Sequence, residues 1–160
     1  MKKAFDDKHV ANAAWMIVNG ETVADDSLFL RLGAPVIIKP AVSGGSMGVG
    51  IRNVVENKAE LEILIDSLNK GYRGWNLNGD GMIAEQFING REFTTFIIGS
   101  ADRPEQAIVY KPVERVFHPS LPDKEKFLSF DRLWEIYEEE SAMPGEDNFY
   151  EYQLPESAFD

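Results

Sequence analysis

Lys39 stands just ahead of a glycine-rich run, Gly44-Gly45-Ser46-Met47-Gly48, and a cation beside such a run can clamp phosphate. Glycines let the backbone approach a ligand closely and aim successive N–H groups at an anion, and the Ser46 hydroxyl adds a donor. The spacing excludes two familiar phosphate loops. A P-loop carries Gly-Lys-Ser/Thr and then a helix. Here Gly48-Val49-Gly50 leads into the β-branched pattern Ile51-Arg52-Asn53-Val54. The dinucleotide fingerprint reads G-x-G-x-x-G and opens a helix, whereas Gly45, Gly48 and Gly50 read G-x-x-G-x-G and are expected to open a strand. Taken alone, the loop fits a flexible connection between two strands equally well.

A second constellation is Glu85 and Glu92, separated by Gln86-Phe87-Ile88-Asn89-Gly90-Arg91. Two strands joined across the Asn89-Gly90 turn would bring both carboxylates to one cleft, where they could accept hydrogen bonds from an amino group and hydroxyls. An ordinary solvated strand end explains a lone glutamate pair as well.

The elements that must hold these groups are legible in part. Met1 to Lys8 reads as the tail of a helix, and Ala13 to Val18 as an apolar run closed by Asn19-Gly20. Pro35 to Lys39 is continuously apolar and β-branched up to its lysine, as for a strand covered on both faces. Residues 57–70 predict a helix. Asn57 and Glu60 have capping-box spacing, Leu61, Leu64, Ile65 and Leu68 fall on one face, and Gly71 ends it. Met82 to Gln86 predicts a strand forming a hairpin with Glu92 to Ile98, and Gln106 to Tyr110 another that continues through Val113 to Phe117. The fold class expected is α+β: an antiparallel or mixed sheet with a packed helix. The core is expected over 1–118, with 119–160 as an acidic, aromatic, loop-rich extension that needs something to pack on.

In order and spacing, these segments resemble the ATP-grasp superfamily, and within it the D-alanine–D-alanine ligase-like group. The resemblance rests on Pro35 to Ala41, Gly44 to Val49, the helix of 57–69, Met82 to Ile88 and Gly90 to Phe93. It implies an ATP-grasp nucleotide-binding subdomain, incomplete at both ends, from a cytoplasmic ligase. Lys39 would bind the α- and β-phosphates, and Gly44, Gly45, Ser46, Met47 and Gly48 would close over them. Glu85 and the backbone of Gln86, Phe87 and Ile88 would meet adenine, and Glu92 the ribose. In such ligases ATP phosphorylates a carboxylate of a small amino-acid or peptide substrate, and an amine displaces phosphate to form an amide. Magnesium would be held by a later strand pair that the sequence does not contain, so no metal ligand and no catalytic residue is assigned. A further family lysine would fall near Leu133, with Arg132 or Lys111 as substitutes, and Lys2 or Lys3 could match another phosphate-binding lysine. On this reading the 160 residues alone are inactive. The alternative is a nucleotide-sensing or interaction module without ligase chemistry.

Composition bounds the rest. Nine of the 27 acidic residues lie in 135–160, which has no Lys or Arg; residues 1–134 carry 16 basic and 18 acidic side chains, a net of −2. A net charge of −11 argues against holding a nucleic-acid backbone. No apolar run has the length of a membrane span, and without cysteine there is no disulfide framework or thiol nucleophile. His9 and His118 are isolated, Glu135 to Glu140 reads as a solvated run rather than a magnesium site, and the three tryptophans read as packing residues. The acidic aromatic tail could also dock a protein partner. Neither oligomeric state nor substrate identity follows from these residues.

Overall fold

A computed structural model of the chain describes residues 1–19, 23, 27–71 and 73–155. Gly20 of the expected Asn19-Gly20 turn lies outside them. The class is α+β, and every strand pairing described is antiparallel. The chain divides into two units, Met1–Ile88 with Leu128–Ala142, and Asn89–Phe127 with Met143–Asp160. The stretch 119–160 thus contributes to both. Among the described residues no helix is long and apolar enough to cross a membrane.

The first unit is built on a four-stranded sheet of β1 (Trp15–Val18), β2 (Val36–Pro40), β3 (Val54–Val55) and β4 (Met82–Gln86), in the order β1-β4-β2-β3. Period-two alternation gives the sheet two different faces. Val18, Val36, Ile38, Met82 and Ala84 bury on one of them with Leu28 and Leu32 of helix α2 (Ser27–Leu32) and Leu61, Leu64 and Leu68 of helix α3 (Lys58–Asn69). The other face carries Trp15, Ile37, Lys39, Ile83 and Glu85. β2 is buried on both sides up to its lysine, as its unbroken apolarity predicts.

Helix α3 starts where the capping signal puts it. Asn57 Oδ1 accepts the Glu60 N–H at 3.1 Å, while the Glu60 carboxylate accepts the Glu56 N–H at 2.8 Å, one residue earlier than an ideal capping box. Its apolar stripe faces the sheet, and Ile63, off the stripe, is exposed. Asn57→Ala is expected to cost about 1 kcal/mol, read as a lower urea midpoint with an unchanged slope.

The glycine run does not open directly into a strand. A 3₁₀ turn, Ile51–Asn53, intervenes before the two residues of β3. A larger correction concerns the Asn89-Gly90 hairpin. β4 pairs with β1 on one edge and β2 on the other, so it has no edge left for the chain that follows. β5 (Glu92–Thr94) pairs instead with β8 (Val113–Phe117) in the second unit. The single strand expected over 92–98 breaks after Thr94, and β6 (Ile97–Ser100) forms a separate ribbon with β7 (Arg103–Val109). β7 and β8 likewise belong to different sheets rather than one continuous strand. β9 (Tyr150–Gln153) completes the order β5-β8-β9.

Candidate functional site

The sheet face opposite the core brings Lys39 and Glu85 together. Ile37 lies directly opposite Glu85 in the β2–β4 register and Lys39 opposite Ile83, so Lys39 and Glu85 are diagonal neighbours on one face. Lys39 Nζ lies 3.2 Å from Glu85 Oε2. Helix α1 (Lys2–Asp7) delivers a second cation: Lys2 Nζ is also 3.2 Å from Glu85 Oε2 and donates to the Ala13 carbonyl at 3.4 Å. Lys3 is exposed, so of the two N-terminal lysines it is Lys2 that reaches this face. The Glu85 side chain is 11% exposed and Lys39 34%. Two ammonium groups on one carboxylate leave a net positive patch at the edge of an apolar sheet surface, and Lys39 stays open to solvent. This donor set fits an anionic oxygen such as that of a phosphate.

Gln86, Phe87 and Ile88 continue from β4. The Gln86 N–H donates to the Ala14 carbonyl at 2.9 Å and the Phe87 N–H to the Pro35 carbonyl at 3.1 Å. Both amides are therefore engaged within the unit, while the Ile88 side chain is exposed.

The glycine loop follows β2. Gly45 and Ser46 take left-handed φ values of 57° and 59°, and Gly48 one of 76°. Turn hydrogen bonds run from the Met47 N–H to the Gly44 carbonyl and from the Val49 N–H to the Ser46 carbonyl, and the Ser43 hydroxyl donates to the Met47 carbonyl at 2.7 Å. Asn53 pins the far stem. Its buried amide nitrogen donates to the Ile38 and Gly48 carbonyls, and its oxygen accepts the Gly50 N–H.

The other side of the loop is held by residues 128–134, which no sequence signal ties to the loop. Ser46 Oγ donates to the Leu128 carbonyl at 3.0 Å, and the Phe130 N–H donates to the Val49 carbonyl at 2.9 Å. Trp134, at the end of helix α4 (Phe130–Trp134), donates its indole N–H to the Gly45 carbonyl at 2.9 Å. This segment is anchored by buried charge. Asp131, 2% exposed, accepts from Arg73 Nη2 and from the Glu139 and Glu140 N–H groups. Glu140 accepts from the Ile51 N–H and the Ser129 hydroxyl and lies 3.5 Å from Arg132 Nε. Burial pushes the Glu139 carboxyl above the usual glutamate range, with the Arg52 guanidinium opposing. The run expected to be solvated is therefore partly interior. Arg132 is buried beside Glu140, which removes it as a substitute cation.

In the second unit Glu92 of β5 faces Arg115 of β8 and forms an ion pair with it. Arg115 also donates to the Tyr152 hydroxyl and stacks over the Tyr150 and Tyr152 rings. Lys111 lies exposed between β7 and β8. Among the described residues no three His, Cys, Asp or Glu side chains converge as metal ligands.

The D-ala D-ala ligase C-terminus family model matches residues 6–131. The chain belongs to that family. Curated D-alanine–D-alanine ligases are similar over part of their length. That of Desulfotalea psychrophila is 29% identical over 86 residues, 54% of this chain and 24% of the relative. That of Buchnera aphidicola is 34% identical over 82 residues, 51% of this chain and 24% of the relative. A Psychrobacter ligase is 37% identical over 73 residues, 46% of this chain and 19% of the relative. The chain spans about a fifth to a quarter of the length of these relatives. The match to the D-ala D-ala ligase C-terminus family takes in β2, the glycine loop, α3 and β4, the segments that carried the resemblance in the sequence. It also takes in Asp131, whose buried role no sequence signal announced.

Proposed function

We propose that the chain is the ATP-binding part of an ATP-dependent carboxylate–amine ligase, in which Lys2 and Lys39 hold phosphate oxygens. The observation that carries this reading is the pair of lysines converging on Glu85 Oε2 beside the glycine loop, in a chain of the D-ala D-ala ligase C-terminus family. Glu85 fixes the two ammonium groups against each other's repulsion. With the Gln86 and Phe87 amides engaged in the sheet, the main chain at Ile88 is the part of β4's continuation proposed to meet a base edge. Taken by itself, the second unit offers Glu92 for ribose hydroxyls and Lys111 as an exposed cation, the roles the resemblance implies.

In the reaction, a carboxylate oxygen of a small amino-acid or peptide substrate attacks the γ-phosphorus and ADP leaves. An amine then attacks the acyl phosphate, and phosphate leaves as the amide forms. The acyl phosphate hydrolyses readily, so excluding water is the work of the loop from Gly44 to Gly48. No step is assigned to magnesium, because the described residues offer no ligand cluster. These 160 residues alone are expected to bind ATP without completing the amide.

Calorimetric titration with ATP tests the reading. Lys39→Ala should weaken binding by about ten- to a hundredfold, the loss of one charged hydrogen bond. Equal affinity of the variant and the parent chain would refute the phosphate role of Lys39. A second reading, a nucleotide-sensing module without ligase chemistry, draws on the inward turn of Arg132 onto Glu140 and on Leu133 where the family lysine is expected. Release of ADP and formation of an amide by a longer chain containing these residues would exclude it.

A further inference from the structure

Helix α1 presents Lys2 to Glu85, yet none of its residues is buried. Six residues are too few for a helix to persist on its own in water. Side-chain ties from its two ends connect it to the sheet. At the start, Lys2 reaches Glu85 and the Ala13 carbonyl. At the end, the Asp6 carboxylate accepts from Asn12 Nδ2 at 2.9 Å on one oxygen and from the Trp15 indole N–H at 2.8 Å on the other. Trp15 opens β1 and lies directly opposite Glu85 in the β1–β4 register. The tie at Asp6 therefore ends on the strand position that neighbours the carboxylate Lys2 must find. The hydrogen bonds from Asn12 and then Trp15 also hold the Asp6 carboxyl below the usual aspartate range.

We propose that Asp6 is a positioning residue for the phosphate site: by bridging Asn12 and Trp15 it clamps α1 to β1 and so keeps Lys2 on Glu85, without itself touching a ligand. The functional side of this assignment rests on the ATP-binding reading above. The clamp acts on one cation of the pair, because Lys39 is held on β2 by the sheet itself. A loosely held α1 would leave Lys2 free in solution and charge the ligand with the entropy of recruiting it.

A double-mutant cycle on the full chain tests the assignment. Asp6→Ala should weaken ATP binding by about three- to tenfold, and Asp6→Ala combined with Lys2→Ala should bind no more weakly than Lys2→Ala alone. The thermal midpoint should hardly change, since no residue of α1 belongs to the core. Asp6→Asn, which keeps an acceptor for the indole, should recover part of the loss. A ligand-independent readout accompanies the cycle: the Glu85 carboxyl-carbon NMR resonance should move in Asp6→Ala in the direction it moves in Lys2→Ala. Additive losses in the cycle, or unchanged affinity in Asp6→Ala while Lys2→Ala weakens, would overturn the assignment. If Lys39→Ala leaves ATP affinity untouched, the ATP-binding reading fails. The Glu85 resonance then decides the clamp alone, and a resonance unmoved by Asp6→Ala rejects it.

Discussion

Asp131→Ala is expected to lower the unfolding free energy by about 3–5 kcal/mol, more than either Asn57→Ala or any substitution in the glycine loop. The carboxylate is 2% exposed and serves three donors at once: Arg73 Nη2 on Oδ1, and the Glu139 and Glu140 N–H groups on Oδ2. Alanine leaves two backbone donors and a mostly buried guanidinium without their acceptor, so the full desolvation penalty of each is incurred. Arg73 keeps its contact with Glu138 at 2.6 Å, but that glutamate is largely solvated and replaces little of the loss. Urea unfolding followed by circular dichroism would read the change as a fall in midpoint at constant slope. The loop should suffer before the sheet does, because Leu128, Phe130 and Trp134 hold it and Asp131 holds them. Amide exchange at 44–49 should accordingly rise in conditions where β2 and β4 remain protected. A variant as stable as the parent would show that the buried pair is dispensable.

Gly48→Val is the second large effect, expected at about 3 kcal/mol. Gly48 has φ of 76°, where a β-branched residue is strained. A Cβ there would overlap Leu77 Cδ1 and lie 3.1 Å from Pro40 Cγ. Leu77 can swing aside, whereas the proline ring at the end of β2 cannot. Gly44→Ala, in the same loop, should change stability by no more than about 0.5 kcal/mol, since nothing lies within 4 Å of its added Cβ. Parallel melts of the two variants separate a geometric demand at one glycine from a general demand for flexibility. Equal losses would favour the latter.

The contrast between those glycines shows what a sequence can and cannot convey. Four glycines around one serine and one methionine announce a loop, but which of them needs its missing side chain depends on Leu77 and Pro40, neighbours in space. The elements with strong local signals form as expected: β2 from its apolar run, β4 over Met82–Gln86, and α3 between Asn57 and Gly71. The hairpin after β4 fails for a non-local reason. Asn89-Gly90 favours a tight turn, but β1 and β2 already occupy both edges of β4. Asp131 and Glu140 escape local reading for a related one. A carboxylate in an acidic stretch suggests solvent, and its burial depends on Arg73, Ser129 and the Ile51 amide being there to receive it. Lys39 and Glu85 lie 46 positions apart, and only the family resemblance links them in the sequence. That resemblance offers Lys2 as one of two options, and nothing in the sequence signals the Asp6 clamp.

The two units are interleaved along the chain, and this bears on the order in which a ribosome could complete them. Unit one needs Leu128–Ala142, and unit two needs β9 at Tyr150–Gln153. The four-stranded sheet can assemble once Gln86 has emerged, but Arg73 and the glycine loop must wait for 45 to 48 more residues before Asp131 and Trp134 arrive. Until then the nascent sheet carries a loop without its Leu128, Phe130 and Trp134 contacts and an Arg73 without Asp131. A nascent chain that has emerged past Gln86 but not past Phe127 would therefore display a protease-sensitive loop on an otherwise folded sheet, and emergence past Glu140 would close it.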